Sequence, residues 1–309
     1  MLPGMHAAPS IAIVGPGNLG SALALSLARA GFTVEFIVAH GSGKSLQRAR
    51  ALARQVQARP VLSSDDVTAD LVWFCVPDSQ IAPAARLFAR TGSWKGRVAL
   101  HSSGALTSDE LESLRCKGAA VASVHPLMTF VGRSRPELAG VPFTIEGDPA
   151  AVRVARRIVK AAGGDPYLIH KQEKAAYHAW GTFASPLLTA LLAVTQEVAT
   201  LAGVRGERAR RRMTPILSRT LSNYAEFGAS RGFSGPIIRG DVETVRQHLR
   251  VLRALPAARE VYVALARAAL EYLPAKNKHA LRPLLAPDDS SNSRPGARRQ
   301  QREGKPHSG

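Results

Sequence analysis

Six residues, Gly15-Pro16-Gly17-Asn18-Leu19-Gly20, follow the spacing G-x-G-x-x-G. Glycine in the first place permits a tight turn, in the second lets backbone approach a pyrophosphate, and in the third lets a helix pack closely on a strand. The run lies between an apolar strand-like segment, Ile11–Val14, and a helix-forming segment, Ser21–Ala30. That context predicts a dinucleotide loop, with phosphates held by free N–H groups and the positive end of the helix dipole. The end of the next strand, Thr33–Ala39, selects among nucleotides. An acid about 20 residues beyond the motif would hold the ribose hydroxyls of NAD. His40 stands there instead, and Glu35 comes too early, within the strand. Ser42, Lys44 and nearby Arg48 suit a 2′-phosphate, so NADP(H) is the expected cofactor, although Lys44 and Arg48 would also serve as ordinary surface charges.

Ligands in open α/β sheets bind beyond the carboxyl ends of the strands. Those ends carry Val76-Pro77-Asp78-Ser79, His101-Ser102-Ser103-Gly104 and His125-Pro126. Val76 and Pro77 are assigned to the cofactor, and His101 and Ser102 to catalysis beside it. Ser103 and His125 are assigned to the substrate. Histidine can donate a proton near neutral pH, as a reductase requires once hydride has reached a carbonyl or imine carbon. Each residue also has a plainer role open to it: His101 as a hydrogen-bonded anchor of its turn, His125 as a structural residue before Pro126, and Asp78 as a helix cap.

The elements that must position these residues alternate strand and helix. Helical Ser45–Gln57 leads to a weak strand at Val61–Leu62, and Leu71–Val76 and Arg97–Leu100 read as buried parallel strands. Ala120–Val124, Val141–Ile145 and Tyr167–Ile169 complete the strands, with helical Pro149–Ala162 before the last. The expected fold is a doubly wound, mostly parallel α/β sheet over residues 1–170. From Lys171 the pattern is helical: Lys171–Ala202, Arg208–Ala229, Val242–Leu252 and Ala257–Tyr272. An all-helical domain is therefore expected over 171–285, with Pro186 kinking its first helix. Residues 286–309 have almost nothing to bury and read as a disordered basic tail.

The chain has 309 residues, 45% apolar and 21% charged, enough for two globular domains. Its two cysteines, Cys75 and Cys116, exclude a disulfide framework and a cysteine-rich zinc site, and no metal is expected. Met1–Ser10 lacks a long apolar stretch behind a basic start, so no secretory signal is expected. The most apolar helical segment, Phe183–Val194, is interrupted by Ser185, Pro186 and Thr189 and falls short of the roughly 20 residues of a membrane span. A soluble cytoplasmic protein without a membrane partner is the expectation. The net charge of +18 comes mostly from scattered Arg, densest at Arg205–Arg212 and in the tail. Without a helix-turn-helix, zinc finger or RNA-binding strand, it predicts general attraction for anions and no specific nucleic acid.

These motifs together resemble a family of uncharacterised proteins that join a Rossmann-like domain to a helical domain of unknown function. The residues concerned are the glycine loop, Val76-Pro77-Asp78, His101 through Ala105, and His125-Pro126 through Thr129-Phe130. Tyr177-His178-Ala179 and Gly235-Pro236 through Arg239-Gly240-Asp241 with His248 extend the resemblance over roughly Ile11–Leu273. That family is similar in layout to pyrroline-5-carboxylate reductase and the 6-phosphogluconate-dehydrogenase-like superfamily. The likeness implies NADP(H) use and a homodimer formed through the helical domain. One departure is Pro186, where an Asn would be expected after Phe183-Ala184-Ser185; it removes a polar contact from that helix. The expected function is NADP-dependent hydride transfer to a small anionic substrate, with His178 joining the catalytic residues and Arg239 and Asp241 orienting the substrate. A non-catalytic NADP(H)-binding regulator is the alternative, and a deazaflavin-coenzyme-linked reductase is a further one by fold analogy alone.

Overall fold

A computed structural model describes residues 9–41, 43–63, 66–132 and 137–286. Short apolar runs make the strands: β1 (Ile11–Val14), β2 (Val34–Ala39), β3 (Arg59–Leu62), β4 (Leu71–Phe74), β5 (Val98–His101), β6 (Ala120–Pro126), β7 (Pro142–Gly147) and β8 (Asp165–Leu168). They form one sheet in the order β3-β2-β1-β4-β5-β6-β7-β8. The first six are parallel, β7 is antiparallel to β6, and β8 is parallel to β7. Every residue of β1, β4 and β5 is buried, as strands covered on both faces require. Alternation sends Ile11 and Ile13 to one face, with α1 (Asn18–Arg29), α2 (Lys44–Val56) and α5 (Pro149–Ala161). Ala12 and Val14 go to the other face, with α3 (Asp78–Phe88) and the short α4 (Glu112–Arg115). The fold is a doubly wound α/β sheet.

Strands end at Leu168, close to the boundary expected at residue 170, but packing divides the chain elsewhere. One compact unit runs to Leu187 and the second begins at Leu188. The displaced segment is α6 (Lys174–Thr182), which buries Lys174 and Tyr177 within the sheet unit. A π-helical turn, Phe183–Leu187, then contains Pro186. Proline lacks an N–H, and the wider turn accommodates the missing bond. The single helix expected over Lys171–Ala202 is present as one helical stretch, Lys171–Leu201, of 31 residues; the expectation that it falls short of a membrane span is corrected, since it is long and apolar enough by composition to cross one.

The second unit contains α7 (Leu188–Leu201), α8 (Gly206–Gly232), α9 (Pro236–Arg239), α10 (Val242–Val251), α11 (Pro256–Tyr272) and α12 (Lys278–Leu284). Gly228, at φ 73°, interrupts α8. Its core gathers Val245, Leu249, Ala266, Leu270, Leu281 and Leu285. α9 and α12 are additions to the helices read from the sequence. The tail from Pro287 onward lies outside the described residues.

Candidate active site

Construction of the glycine loop follows from three different steric demands. Gly15 has φ +102°, and a Cβ there would lie 2.5 Å from the Cys75 carbonyl oxygen at the end of β4. A Cβ on Gly20 would collide with the Gly15 carbonyl, so only glycine lets α1 sit this close to the turn. At Gly17 a Cβ would meet nothing within 4 Å, leaving open space over the backbone. Gly17 is the N-cap of α1, whose first turn has no side-chain cap and no acidic residue. Helix N–H groups and the dipole there suit an anion such as a pyrophosphate. Pro16 is buried, Leu19 packs on the core, and Val76 packs beside Gly15. Pro77 caps α3. Exposed Asn18 opens α1, and its Nδ2 donates to the Phe130 carbonyl at 3.0 Å.

Beyond β2, His40 and Gly41 are exposed and α2 opens on exposed Lys44, with no acid in its first turn. Arg48 is exposed one turn later. Glu35, near the start of β2, is ion-paired to Arg59 at 2.7 Å. No carboxylate at the strand end competes for a 2′-phosphate among the described residues. Ser42 lies outside them.

At the end of β5 the structure corrects two roles, those of His101 and Ser103. His101 is 0% exposed, and both ring nitrogens are committed: Nδ1 accepts from Ser103 N–H at 3.1 Å, and Nε2 lies 2.9 Å from the Thr107 carbonyl. Burial, with Lys174 and His125 nearby, lowers its pKa to about 4 despite the Thr107 bond. It is a neutral anchor for the following turn and has no nitrogen left for catalysis. Ser102 Oγ accepts from Trp73 Nε1 at 2.8 Å, which ties it to β4 and leaves its O–H to donate. Buried Ser103 donates to Asp78 at 2.9 Å and accepts from the N–H groups of Ala105 and Leu106. Ser103 therefore shapes the loop and offers no free hydroxyl to a substrate.

His125 and His178 meet on that loop. Their ring centroids are 6.4 Å apart, and a Cβ on Gly104 would lie 2.9 Å from His125 Nε2 and 2.7 Å from His178 Cδ2. Gly104 thus makes room for both rings. His125 Nδ1 is 2.8 Å from the Tyr177 hydroxyl. Burial, then Lys174 and His178, lowers the His125 pKa to about 4. Lys174, only 1% exposed, donates to the Ser103 carbonyl at 3.0 Å and to Ser123 Oγ at 2.6 Å. Its pKa falls to about 8 through burial, opposed by Glu146 and Asp78. Sequence reasoning did not assign Lys174 or Tyr177 to the site. The available signal was their spacing: residues 174, 177 and 178 share one helix face. Arg239 and Asp241 belong to the second unit, where they pair with each other at 2.7 Å.

A mostly parallel sheet, a glycine loop opening a helix, and a helical second unit define a Rossmann-type chain with a helical second domain. Residues 5–126 match the Rossmann-like domain and residues 141–269 match DUF2520, a domain of unknown function, so the chain joins these two. Comparison with curated proteins found no match. Among solved structures it is similar to BF3122 of Bacteroides fragilis, which carries the name NADP oxidoreductase. That pair has 21% identity and a TM-score of 0.70 over 84% of this chain and 97% of the other. An imine reductase from Myxococcus stipitatus, solved with NADP+, matches at 14% identity and TM-score 0.62, over 90% and 99% of the two chains. A pyrroline-5-carboxylate reductase from Coxiella burnetii matches at 16% identity and TM-score 0.54, over 91% and 100%.

Proposed function

We propose that this protein is an NADP(H)-dependent oxidoreductase that reduces or oxidises a small anionic substrate. The observation carrying this reading is the glycine loop, where Gly17 leaves open space over an uncapped helix N-terminus. Lys44 at the head of α2, with Glu35 drawn away to Arg59, supports the 2′-phosphorylated cofactor. NADPH, when bound, supplies a hydride to an electrophilic carbon. The chain's own part is to hold the phosphates at Gly15–Gly20, engage the 2′-phosphate through Lys44 and Arg48, and present polar groups to the substrate. His125 and His178, set against Gly104, replace His101 in that last role. Fluorescence titration with both cofactors tests the reading. Tighter binding of NADPH than NADH is expected, and the reverse order would defeat it.

The commitment of His101 and Ser103 to the scaffold favours a second reading, a nucleotide-binding regulator without turnover. Substrate-dependent NADPH oxidation separates the two.

The assembly we propose is a homodimer through the helical unit. α7 has no buried residue although its sequence is largely apolar. An apolar groove of about 470 Å³, lined by Leu191, Val194, Val198, Val261 and Leu265 among others, lies beside it. A bilayer is the weaker occupant. The long helix up to Leu187 belongs to the sheet unit, leaving the 14 residues of α7 in the helical one. At 1.5 Å per residue these span about 21 Å, short of the ~30 Å hydrocarbon core.

A further inference from the structure

β7 and β8 end at a cavity of about 490 Å³ to which the glycine loop contributes nothing. Because β7 is antiparallel to β6, with Pro126 paired to Phe143 and Ala122 to Gly147, it runs back toward the start of β6. The glycine loop lies at the other end of the parallel strands, and β7 stands four places from β1 in the sheet. At ~4.8 Å per strand that is about 19 Å across the sheet alone. The apolar lining of the cavity includes Ile145, Val152, Leu168 and Ile169. Leu168 is 56% exposed there, on the edge strand of the sheet. A volume of this size with an apolar lining is characteristic of small-molecule sites.

The polar lining is positive. Arg153 is exposed on α5 and has no hydrogen-bond or ion-pair partner among the described residues. Lys171 spends one of its three N–H donors on Asp109, at 2.5 Å. His170 accepts from the Glu173 N–H with its side chain, which fixes the ring at the turn into α6. Pro149 and Val152 bring the first turn of α5 to the same cavity, with no acidic residue and no side-chain cap, and this adds positive potential. Glu146, the acid in the lining, gives both oxygens to Ser108, and Asp148 beside it accepts from the Val121 N–H and from Arg115. Neither is left to pair with Arg153. We infer that this cavity is a second ligand site, separate from the dinucleotide loop, for a small organic anion whose charged head meets Arg153 and Lys171 and whose apolar body covers Leu168 and Ile169. Such a site stands whether or not the protein is an oxidoreductase.

The test uses the full chain with ¹³C-methyl labels, Leu168 and Ile169 being assigned through Leu168→Met and Ile169→Val. Salt of about 0.15 M screens the general attraction of the +18 net charge for anions. Octanoate is expected to shift both methyl signals saturably. Octanamide, equally long but uncharged, and inorganic phosphate, charged but without an apolar body, are each expected to bind at least roughly tenfold more weakly. Arg153→Ala is expected to keep the melting temperature, because the side chain holds nothing in the fold, and to weaken octanoate roughly tenfold. Saturating NADPH should leave the octanoate shifts in place. Absence of a saturable shift at Leu168 and Ile169 overturns the inference, even where octanoate shifts methyl signals of the apolar groove in the helical unit. Equal binding of octanamide or phosphate overturns it too, as does unchanged octanoate affinity in Arg153→Ala. Displacement of octanoate by NADPH would overturn the separation of the two sites. Failure of NADPH to bind at all defeats the oxidoreductase reading and leaves the second site in place.

Discussion

His101 illustrates how a titratable side chain at a strand end becomes part of the scaffold. Its two ring nitrogens stitch the Ser102–Thr107 turn together, and its removal would strand the Ser103 N–H and the Thr107 carbonyl. His101→Ala should cost about 3 kcal/mol, from two lost bonds and a cavity, read as a lower melting temperature. NADPH affinity per folded molecule should be unchanged. The same residue predicts acid sensitivity. Both His101 and His125 have folded pKa values near 4, below the value of about 6.5 for a free histidine. Between those values the unfolded chain binds more protons, so stability is full above about pH 6.5 and declines as pH falls toward 4. Denaturant midpoints across that range should follow this slope, and His101→Ala should make it shallower. Lys44 belongs to the opposite kind, an exposed charge with nothing to hold in the fold. Lys44→Ala should weaken NADPH roughly tenfold and leave NADH nearly unchanged. Equal losses for the two cofactors would remove Lys44 from the 2′-phosphate.

The turn between β1 and α1 separates folding from binding within six residues. Gly17→Ala adds a methyl that touches nothing in the protein but occupies the space over the helix N-terminus. Its melting temperature should stay within a degree or two, since such substitutions away from contacts change stability by about 0.5 kcal/mol or less. NADPH affinity should fall at least roughly tenfold, the equivalent of about 1.4 kcal/mol. Gly20→Ala drives a methyl into the Gly15 carbonyl, so α1 must shift and the protein should lose stability as well as binding. Paired thermal melts and cofactor titrations distinguish the two patterns. A Gly17→Ala protein that binds NADPH normally would show that the phosphates lie elsewhere.

For the whole molecule, the informative surface is the one its own chain does not cover. On α8, Ile216, Tyr224 and Phe227 are exposed at 68%, 63% and 39%, and α7 beside it buries nothing. Apolar surface on this scale marks an interface. Light scattering at micromolar concentration should give twice the 32.9 kDa chain mass. Ile216→Glu should shift the population toward monomer, because a carboxylate in an apolar interface is strongly disfavoured. A monomer in the unmodified protein would leave this face to another partner. The net charge of +18 works against self-association at low salt, so the dimer should tighten as salt screens it.

Local spacing alone settled the glycine loop, the order of strands and helices, and the absence of an acid at the end of β2. Each depends on residues within a turn or two of one another: alternating burial along a strand, three glycines in six positions, a charge at a helix start. The fates of the chemical side chains were not legible in the same way. His101 and His125 look alike in sequence, each closing a strand, yet one has both nitrogens consumed and the other keeps Nε2 free. The turn after β5 folds back on His101 and takes both its nitrogens, whereas His125 meets α6, which follows β5 by about 70 residues and brings Lys174, Tyr177 and His178 onto the sheet. The form of the kink at Pro186, a π turn, was likewise not legible in the sequence. Burial is set by neighbours distant in the chain, and hydrogen-bond partners by how each loop folds back on its strand, so only the tertiary structure could decide which polar group is scaffold and which faces a ligand.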